Sequence, residues 1–484
     1  MILSEILKGI QVIECTASPH QEITGISYDS RKVEQGQLFV AISGFQSDGH
    51  RFIPMAKDKG AAVILCEKKP EVEIPYVLVE NTRLAMALAS ANFFGHPAEK
   101  MTCVGITGTN GKTSSTYLLK HVLEKTLGAK VGLIGTIQNL IGDTVIETER
   151  TTPESYELQA LFDRMYREGC THVIMEVSSH ALALDRVGGM TFDVGVFANL
   201  TQDHLDFHKT MEEYRKAKAL LFCRCPKGVL NGDDEATAKI LETATCEAMT
   251  FGQTPGCDLY AEGAVLHSDG VEFTACFQGK REHIRLGIPG AFTVYNALSV
   301  LGTALSLGIS LEAAAEALRS AKGVKGRVEV VPTPGQDYTI LIDYAHAPDG
   351  LDNVLRSVRG YCKGRLISVF GCGGDRDATK RPIMGRIGAE LSDLAIITSD
   401  NPRTEEPEAI IEDILKGIAD RSNCLVEVDR RKAIRMAMDL AKKDDIIVLC
   451  GKGHETYQII GTEKTHLDER EEVFAHLQQG GMKI

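Results

Sequence analysis

A chain of 484 residues exceeds what one hydrophobic core fills, and at roughly 150 residues per domain it is expected to form three domains. Its hydrophobic content of 43% suffices for such cores, while no apolar run approaches the roughly 20 residues that span a bilayer, so no membrane insertion is expected. A net charge of −13 excludes a nucleic acid or an anionic membrane surface as the general partner, since either would repel the chain, and leaves room for a locally basic pocket holding a small anion.

The N-terminus sets Glu5 and Lys8 in a short amphipathic pattern rather than a secretory layout, which predicts a cytoplasmic protein. The cysteines are scattered through apolar runs (Cys66, Cys103, Cys170, Cys450) and read as reduced core residues. Cys223-x-Cys225 is a close pair without the second pair that a zinc site needs.

Along the chain, strands are predicted over 37–42, 61–66 and 76–79, with helical stretches over 53–59 and 83–94. His96-Pro97 breaks this pattern, and the first domain boundary falls near residue 98. Buried strands follow over 102–106, 172–176 and 193–198, with a helix over 155–168, an alternation that predicts a parallel sheet covered on both faces. The glycine-rich, polar stretch 323–326 precedes an extended run over 327–332 and marks the second boundary. Strands over 339–343, 366–370, 394–398 and 445–450 then predict a separate Rossmann-like domain. The expected fold is α/β in three domains, 1–98, 99–327 and 328–484.

The first predicted strand of the central domain runs straight into Gly108-Thr109-Asn110-Gly111-Lys112-Thr113-Ser114. Glycines at 108 and 111 allow backbone amides to converge on phosphate oxygens at a helix start, Lys112 supplies a cation, and the Thr113 hydroxyl can ligate Mg2+. The usual first glycine of a G-x4-G-K-T loop is absent, since Ile106 occupies its place, and a glycine turn that binds nothing is the alternative.

Functional residues of open parallel sheets gather at the carboxyl ends of strands, and six polar clusters fall there: 176–180, 199–204, 343–346, 371–377, 400–403 and 451–455. They suggest a shared cleft. Glu176 ends an apolar strand, where a bound Mg2+ would satisfy its charge; pairing with an arginine or capping the next helix is the alternative. His204 and His208 have a spacing that fits one helix face, either as a zinc pair or with His204 alone contacting metal or water and His208 structural. Lys218 lies in a helical pattern whose lysines are expected to face solvent. The glycines and charges of 371–382 favour a binding loop over a surface salt-bridge loop, with planar arginine forks suited to carboxylates. Asp400-Asn401-Pro402-Arg403 reads alone as an ordinary proline turn that projects Arg403.

Taken together these stretches resemble the Mur ligases, with Gly108-Thr-Asn-Gly-Lys-Thr113 similar to that family's phosphate loop. Asp29-Ser30-Arg31, Asp48-Gly49-His50 and Phe370-Gly-Cys-Gly-Gly-Asp-Arg-Asp377 look like the members that add the third residue of the peptidoglycan peptide. The resemblance implies an N-terminal UDP-binding domain, a central ATPase domain and a C-terminal amino-acid-binding domain in a cytoplasmic, monomeric enzyme. It further implies that ATP, with Mg2+, phosphorylates the D-glutamate carboxylate of UDP-N-acetylmuramoyl-L-alanyl-D-glutamate. An amine of meso-diaminopimelate then attacks the acyl phosphate.

By the same resemblance, Lys112, Lys218, Glu176 and His204 are catalytic, and Thr113, Glu176, His204 and a carbamylated Lys218 surround the metal. Asn296, Arg327 and Asp343 join the loop 108–114 on the nucleotide. Ser30, Thr151, Thr152, Ser178 and Arg186 meet the UDP-sugar substrate. Arg376, Asp400, Asn401, Pro402, Arg403, Gly451 and Glu455 meet the amino acid, where Arg403 suits the second carboxylate of diaminopimelate and disfavours lysine. A lysine-adding ligase of the same step and a folylpolyglutamate-synthase-like ligase are the alternative readings; the latter lacks a uridine-nucleotide module like residues 1–98.

Overall fold

The computed structural model describes residues 1–44, 47–148 and 150–480. Two compact units divide the chain, one built from 1–259 and 299–314 and the other from 260–298 and 315–484.

The first unit begins with a sheet whose strands lie in the order Val12–Cys15, Tyr76–Val79, Val63–Cys66, Leu38–Val40 and Ile26–Ser27. The first pair is antiparallel and the rest are parallel. Period-two alternation gives it two buried faces: Leu38, Val40, Val63 and Leu65 enter one core, while Phe39, Ala41, Ile64 and Cys66 enter another. The helix Thr82–Phe94 covers the first of these through Ala85, Met86 and Ala89. It starts where the Asn81 side chain accepts from the amides of Arg83 and Leu84, and stops at Gly95 in the left-handed region.

The larger sheet of this unit runs Glu247–Gly252, Lys227–Asn231, Val194–Phe197, Thr102–Thr107, His172–Glu176 and Val131–Ile134, all parallel. Asn139–Ile141 and Thr144–Ile146 extend it antiparallel. The strand that feeds the glycine loop is thus central, with Glu176 paired to Ile106 on one neighbour and Phe197 to Thr107 on the other.

In the second unit, Gly270–Phe277 and Lys280–Leu286 form an antiparallel hairpin. A further sheet has the order Glu329–Val331, Thr339–Asp343, Ile446–Cys450, Leu366–Phe370, Leu394–Ile397 and Cys424–Val426, antiparallel at its first pair and parallel thereafter. Its faces bury Leu341, Phe370, Ile397 and Val448 on one side and Ile342, Val369, Ile396 and Leu449 on the other.

The predicted strands form with end shifts of at most two residues, and 76–79, 172–176, 339–343 and 366–370 form without any; the strands between 247 and 286 and the hairpin Tyr457–Ile460 with Glu463–His466 were not anticipated. The cysteines are free and several are buried as expected, but Cys15 and Cys223 are exposed. Among the described residues no helix is long and apolar enough to cross a membrane.

Candidate active site

The loop 108–111 leaves the central strand and enters the helix Lys112–Leu127 through Gly111, which has φ +83° and needs glycine there. Gly108 is required for a different reason, since a Cβ on it would lie 2.9 Å from that of Ala198 on the neighbouring strand's exit. That exit holds the loop: the Asn199 carbonyl accepts from Thr109 N, and the Asn199 side chain accepts from Asn110 N at 2.8 Å and donates back to the Asn110 carbonyl. With Thr109 N and Asn110 N so engaged, the amides that begin the helix are the ones suited to an anion. Lys112 folds over it, donating to the Gly108 and Thr109 carbonyls at 2.8 and 2.9 Å. Ser114 is half-buried in the first helical turn.

Glu176 is 1% exposed, and among the described residues it pairs with no cation. Neither an arginine nor a helix cap explains it. Instead Thr113 Oγ1 and Thr136 N donate to Oε1, each at 2.9 Å, and Thr136 Oγ1 donates to Oε2 at 3.0 Å. Gly135 permits this approach, since a Cβ there would lie 2.6 Å from Oε1. A buried carboxylate beside a threonine hydroxyl on the phosphate helix is a hard-oxygen donor set of the kind magnesium prefers, so these residues fit that ion.

Lys218 overturns the solvated expectation: it is 1% exposed, with its amine 4.5 Å from the centre of the Tyr214 ring. Burial and the Lys112 cation drive that amine well below the usual lysine range. Tyr214, itself pushed up to about 12 by burial, joins its hydroxyl to Thr109 Oγ1 at 3.1 Å, so Lys218 belongs to the surroundings of the phosphate loop.

His204 and His208 do not share a helix face as the spacing suggested. His204 precedes the single turn Leu205–His208 in the left-handed region, and His208 is buried with Nε2 2.9 Å from Ser179 Oγ, consistent with a structural role. The His204 ring packs edge-on against His180 at 4.9 Å. Among the described residues no cluster of three or more His, Cys, Asp or Glu could hold a metal, so the zinc pair receives no support.

Of the residues expected at the UDP-sugar substrate, Thr151, Thr152, Ser178 and Arg186 form a network in the same unit. Thr151 and Thr136 join hydroxyls at 3.1 Å, Thr152 donates to the Glu176 carbonyl at 2.8 Å, and Arg186 donates to the Thr152 carbonyl. Ser178 caps the helix Ser179–Ala183 by accepting from Ala181 N, and Ser30 is buried just after the strand Ile26–Ser27. Glu154, missed in the sequence, gathers Arg83, Arg150 and Arg186. Thr136 was also missed, although its place just past a parallel strand's carboxyl end was a usable signal.

In the second unit Asp343 is buried and accepts from Val328 N and Ala345 N, both at 2.8 Å, so its oxygens first serve to tie the backbone beside Arg327. Burial raises its carboxyl above the usual range against the opposing pull of Arg327. The Arg327 guanidinium lies 5.3 Å over the Tyr344 ring, and Asn296 is buried on the helix Phe292–Ser306.

The loops 371–377 and 400–405 are zipped together. Gly374 N donates to the Asn401 carbonyl, Arg403 donates to the Gly374 carbonyl at 2.8 Å, and Thr404 Oγ1 donates to Asp375 at 2.6 Å. A Cβ on Gly373 would stand 3.0 Å from the Arg403 guanidinium and 3.8 Å from Arg376 Cγ. Neither arginine forms a salt bridge among the described residues; they bond backbone carbonyls instead. Arg381, by contrast, is buried in ion pairs with Glu405 and Asp413 and braces the loops. Pro402 is buried in the turn and Arg403 takes φ +52°. Asp400, Asn401, Gly451 and Glu455 lie beside this corner: a Cβ on Gly451 would be 2.6 Å from Asp400 Oδ2, and Asn401 Nδ2 donates to Glu455 Oε2 at 3.0 Å.

Three family descriptions match the chain: the Mur ligase catalytic domain over 22–96, the Mur ligase middle domain over 106–304 and the Mur ligase glutamate ligase domain over 326–453. The UDP-N-acetylmuramoyl-L-alanyl-D-glutamate--2,6-diaminopimelate ligase 1 of Clostridium acetobutylicum is 51% identical over 97% of this chain and 98% of its own length. The Clostridium botulinum ligase of the same name, without the numeral, is 50% identical over the same shares. A solved UDP-N-acetylmuramoyl-L-alanyl-D-glutamate--2,6-diaminopimelate ligase aligns over 100% of both chains with a TM-score of 0.75 and 30% identity. The chain belongs to the Mur ligase family, whose members are ATP-dependent enzymes that form amide bonds.

Proposed function

We propose that the protein adds meso-2,6-diaminopimelate to the D-glutamate of UDP-N-acetylmuramoyl-L-alanyl-D-glutamate, at the cost of ATP, in peptidoglycan precursor synthesis. The observation that carries the acceptor is the pair Arg376 and Arg403, flanking Gly373 without a carboxylate partner among the described residues while Glu455 stands at the same corner. Two cations and one acid match the carboxylate and ammonium of an amino-acid head, which lysine lacks at its far end. The corresponding domains are 1–98 for the UDP-sugar, 99–327 for ATP and 328–484 for the amino acid.

The chemistry follows from the residues. The loop 108–114, through the amides of its helix end, and the Lys112 ammonium hold the triphosphate, so the γ-phosphoryl passes to the glutamate carboxylate with its charge already opposed. Magnesium, when bound, would neutralise phosphate charge, held by Thr113, Glu176, His204 and Lys218. Lys218 suits that role because burial and the Lys112 cation hold its amine well below the usual lysine range, which favours the uncharged form that takes up carbon dioxide: a C–N bond forms as one C=O π bond opens, the nitrogen's proton passes to water, and an anionic carbamate stands where an ammonium would repel the metal. Arg186, Thr151, Thr152, Ser178 and Ser30 position the UDP-linked dipeptide, and Asn296, Arg327 and Asp343 order the nucleotide. The acceptor amine then displaces phosphate from the acyl phosphate.

Phosphate release from ATP is expected only when the UDP-linked dipeptide and meso-diaminopimelate are both supplied. Equal turnover with L-lysine would defeat the acceptor assignment, and phosphate release with folate and glutamate would defeat the pathway.

A further inference from the structure

We propose that Lys452 is a positioning residue for the acceptor amino acid, setting the free oxygen of Glu455 toward the distal ammonium of the substrate; this rests on the acceptor reading above. Lys452 has a fully buried ammonium that donates to Asn401 Oδ1 at 3.0 Å and to Glu455 Oε2 at 2.6 Å. Asn401 Oδ1 also accepts from Ile459 N at 3.0 Å, which leaves Asn401 Nδ2 to donate to Glu455 Oε2. The orientation of the amide is therefore dictated by its two donors, because the opposite orientation would set an NH2 against an ammonium and an N–H.

The consequence falls on Glu455. Its Oε2 accepts from Lys452 and Asn401, while among the described residues Oε1 has only the Tyr457 hydroxyl at 3.5 Å. One carboxylate oxygen is thus locked into the protein and the other is left with capacity for a substrate N–H. The backbone reinforces the arrangement, since Glu455 N donates to the Lys452 carbonyl at 2.9 Å and closes a turn that fixes the separation of the two side chains. Without the Lys452 charge the carboxylate loses its ionic anchor and keeps on Oε2 the neutral Asn401 amide, itself still oriented by Ile459 N, so recognition of an ammonium weakens while recognition of a carboxylate by Arg376 and Arg403 persists.

The test compares Lys452→Met with wild type on meso-diaminopimelate and on 2-aminopimelate, which keeps the reacting amino-acid head and the far carboxylate but lacks the second amine. Expected is a rise of roughly tenfold or more in KM for meso-diaminopimelate. KM for 2-aminopimelate, for ATP and for the UDP-linked dipeptide should stay within about twofold. An equal rise for both amino acids, or a fall in kcat with every KM unchanged, overturns the proposal. If Lys452→Met does not fold by circular dichroism, Lys452→Gln, which keeps an N–H toward Asn401 without the charge, is scored by the same criteria. Wild type that fails to use either amino acid refutes the acceptor reading itself, a result separate from any effect of the substitution.

Discussion

Lys112 spends its hydrogen bonds on the carbonyls of its own loop, so its ammonium waits where phosphate oxygens would arrive. Lys112→Ala is expected to lower kcat/KM for amide synthesis by at least about a hundredfold, given what a single preorganised electrostatic group contributes. The unfolding midpoint should barely move, and coupled phosphate-release kinetics beside urea denaturation check both halves. His208 carries a different consequence. Burial, followed by the nearby His180 and His204, depresses its imidazole to about 4 from an ordinary 6.5, so the native state holds it neutral where the unfolded chain already binds a proton. Stability from this group is complete above about 6.5 and is lost as pH falls toward about 4. Urea unfolding across that window should show a steeper loss for wild type than for His208→Gln; identical slopes would refute it.

Among the elements, the buried pair Arg430 and Glu469 links the helix Arg430–Leu440 to the start of the helix Glu469–Gly480, with a contact of 2.7 Å and both side chains 0% exposed. Arg430 also donates to the carbonyls of Ser399 and Cys450, just where the strands Leu394–Ile397 and Ile446–Cys450 give way to the Asp400 and Gly451 loops. Arg430→Met should cost about 3–5 kcal/mol, because it strands a buried carboxylate, while the paired change Arg430→Met with Glu469→Leu should cost less. Chemical denaturation of the two variants decides the matter. The strands themselves were legible in sequence, since Thr339–Asp343 and His172–Glu176 are apolar runs ended by a carboxylate and Leu366–Phe370 is apolar but for Ser368 before a glycine-rich stretch. The hairpin Tyr457–Ile460 with Glu463–His466 was not, because only one of its eight side chains is buried and no apolar alternation announces it.

For the molecule as a whole, each compact unit has its own buried clusters, so unfolding should depart from a single two-state transition. Adenine nucleotide at about a hundred times its Kd should add about 2.7 kcal/mol to the transition of the segments that carry its proposed contacts, 102–127 and those around Asn296, Arg327 and Asp343, as read by pulsed hydrogen exchange in urea. A uniform shift of every segment would contradict this.

What the sequence determined by itself was the alternation of apolar strands and helices, the glycine loop, and the polar residues at strand ends, because these depend on periodicity and on local backbone chemistry. The Mur ligase resemblance rested on the same contiguous motifs. What only the tertiary structure decided were the environments. Lys218 reads as a surface lysine by spacing yet is buried beside Tyr214, and Glu176 finds Thr136 rather than an arginine. Lys452 meets Asn401 from 51 residues away. Burial and charge pairing are set by which distant strands become neighbours, and that choice belongs to the packed sheet, not to any stretch of chain.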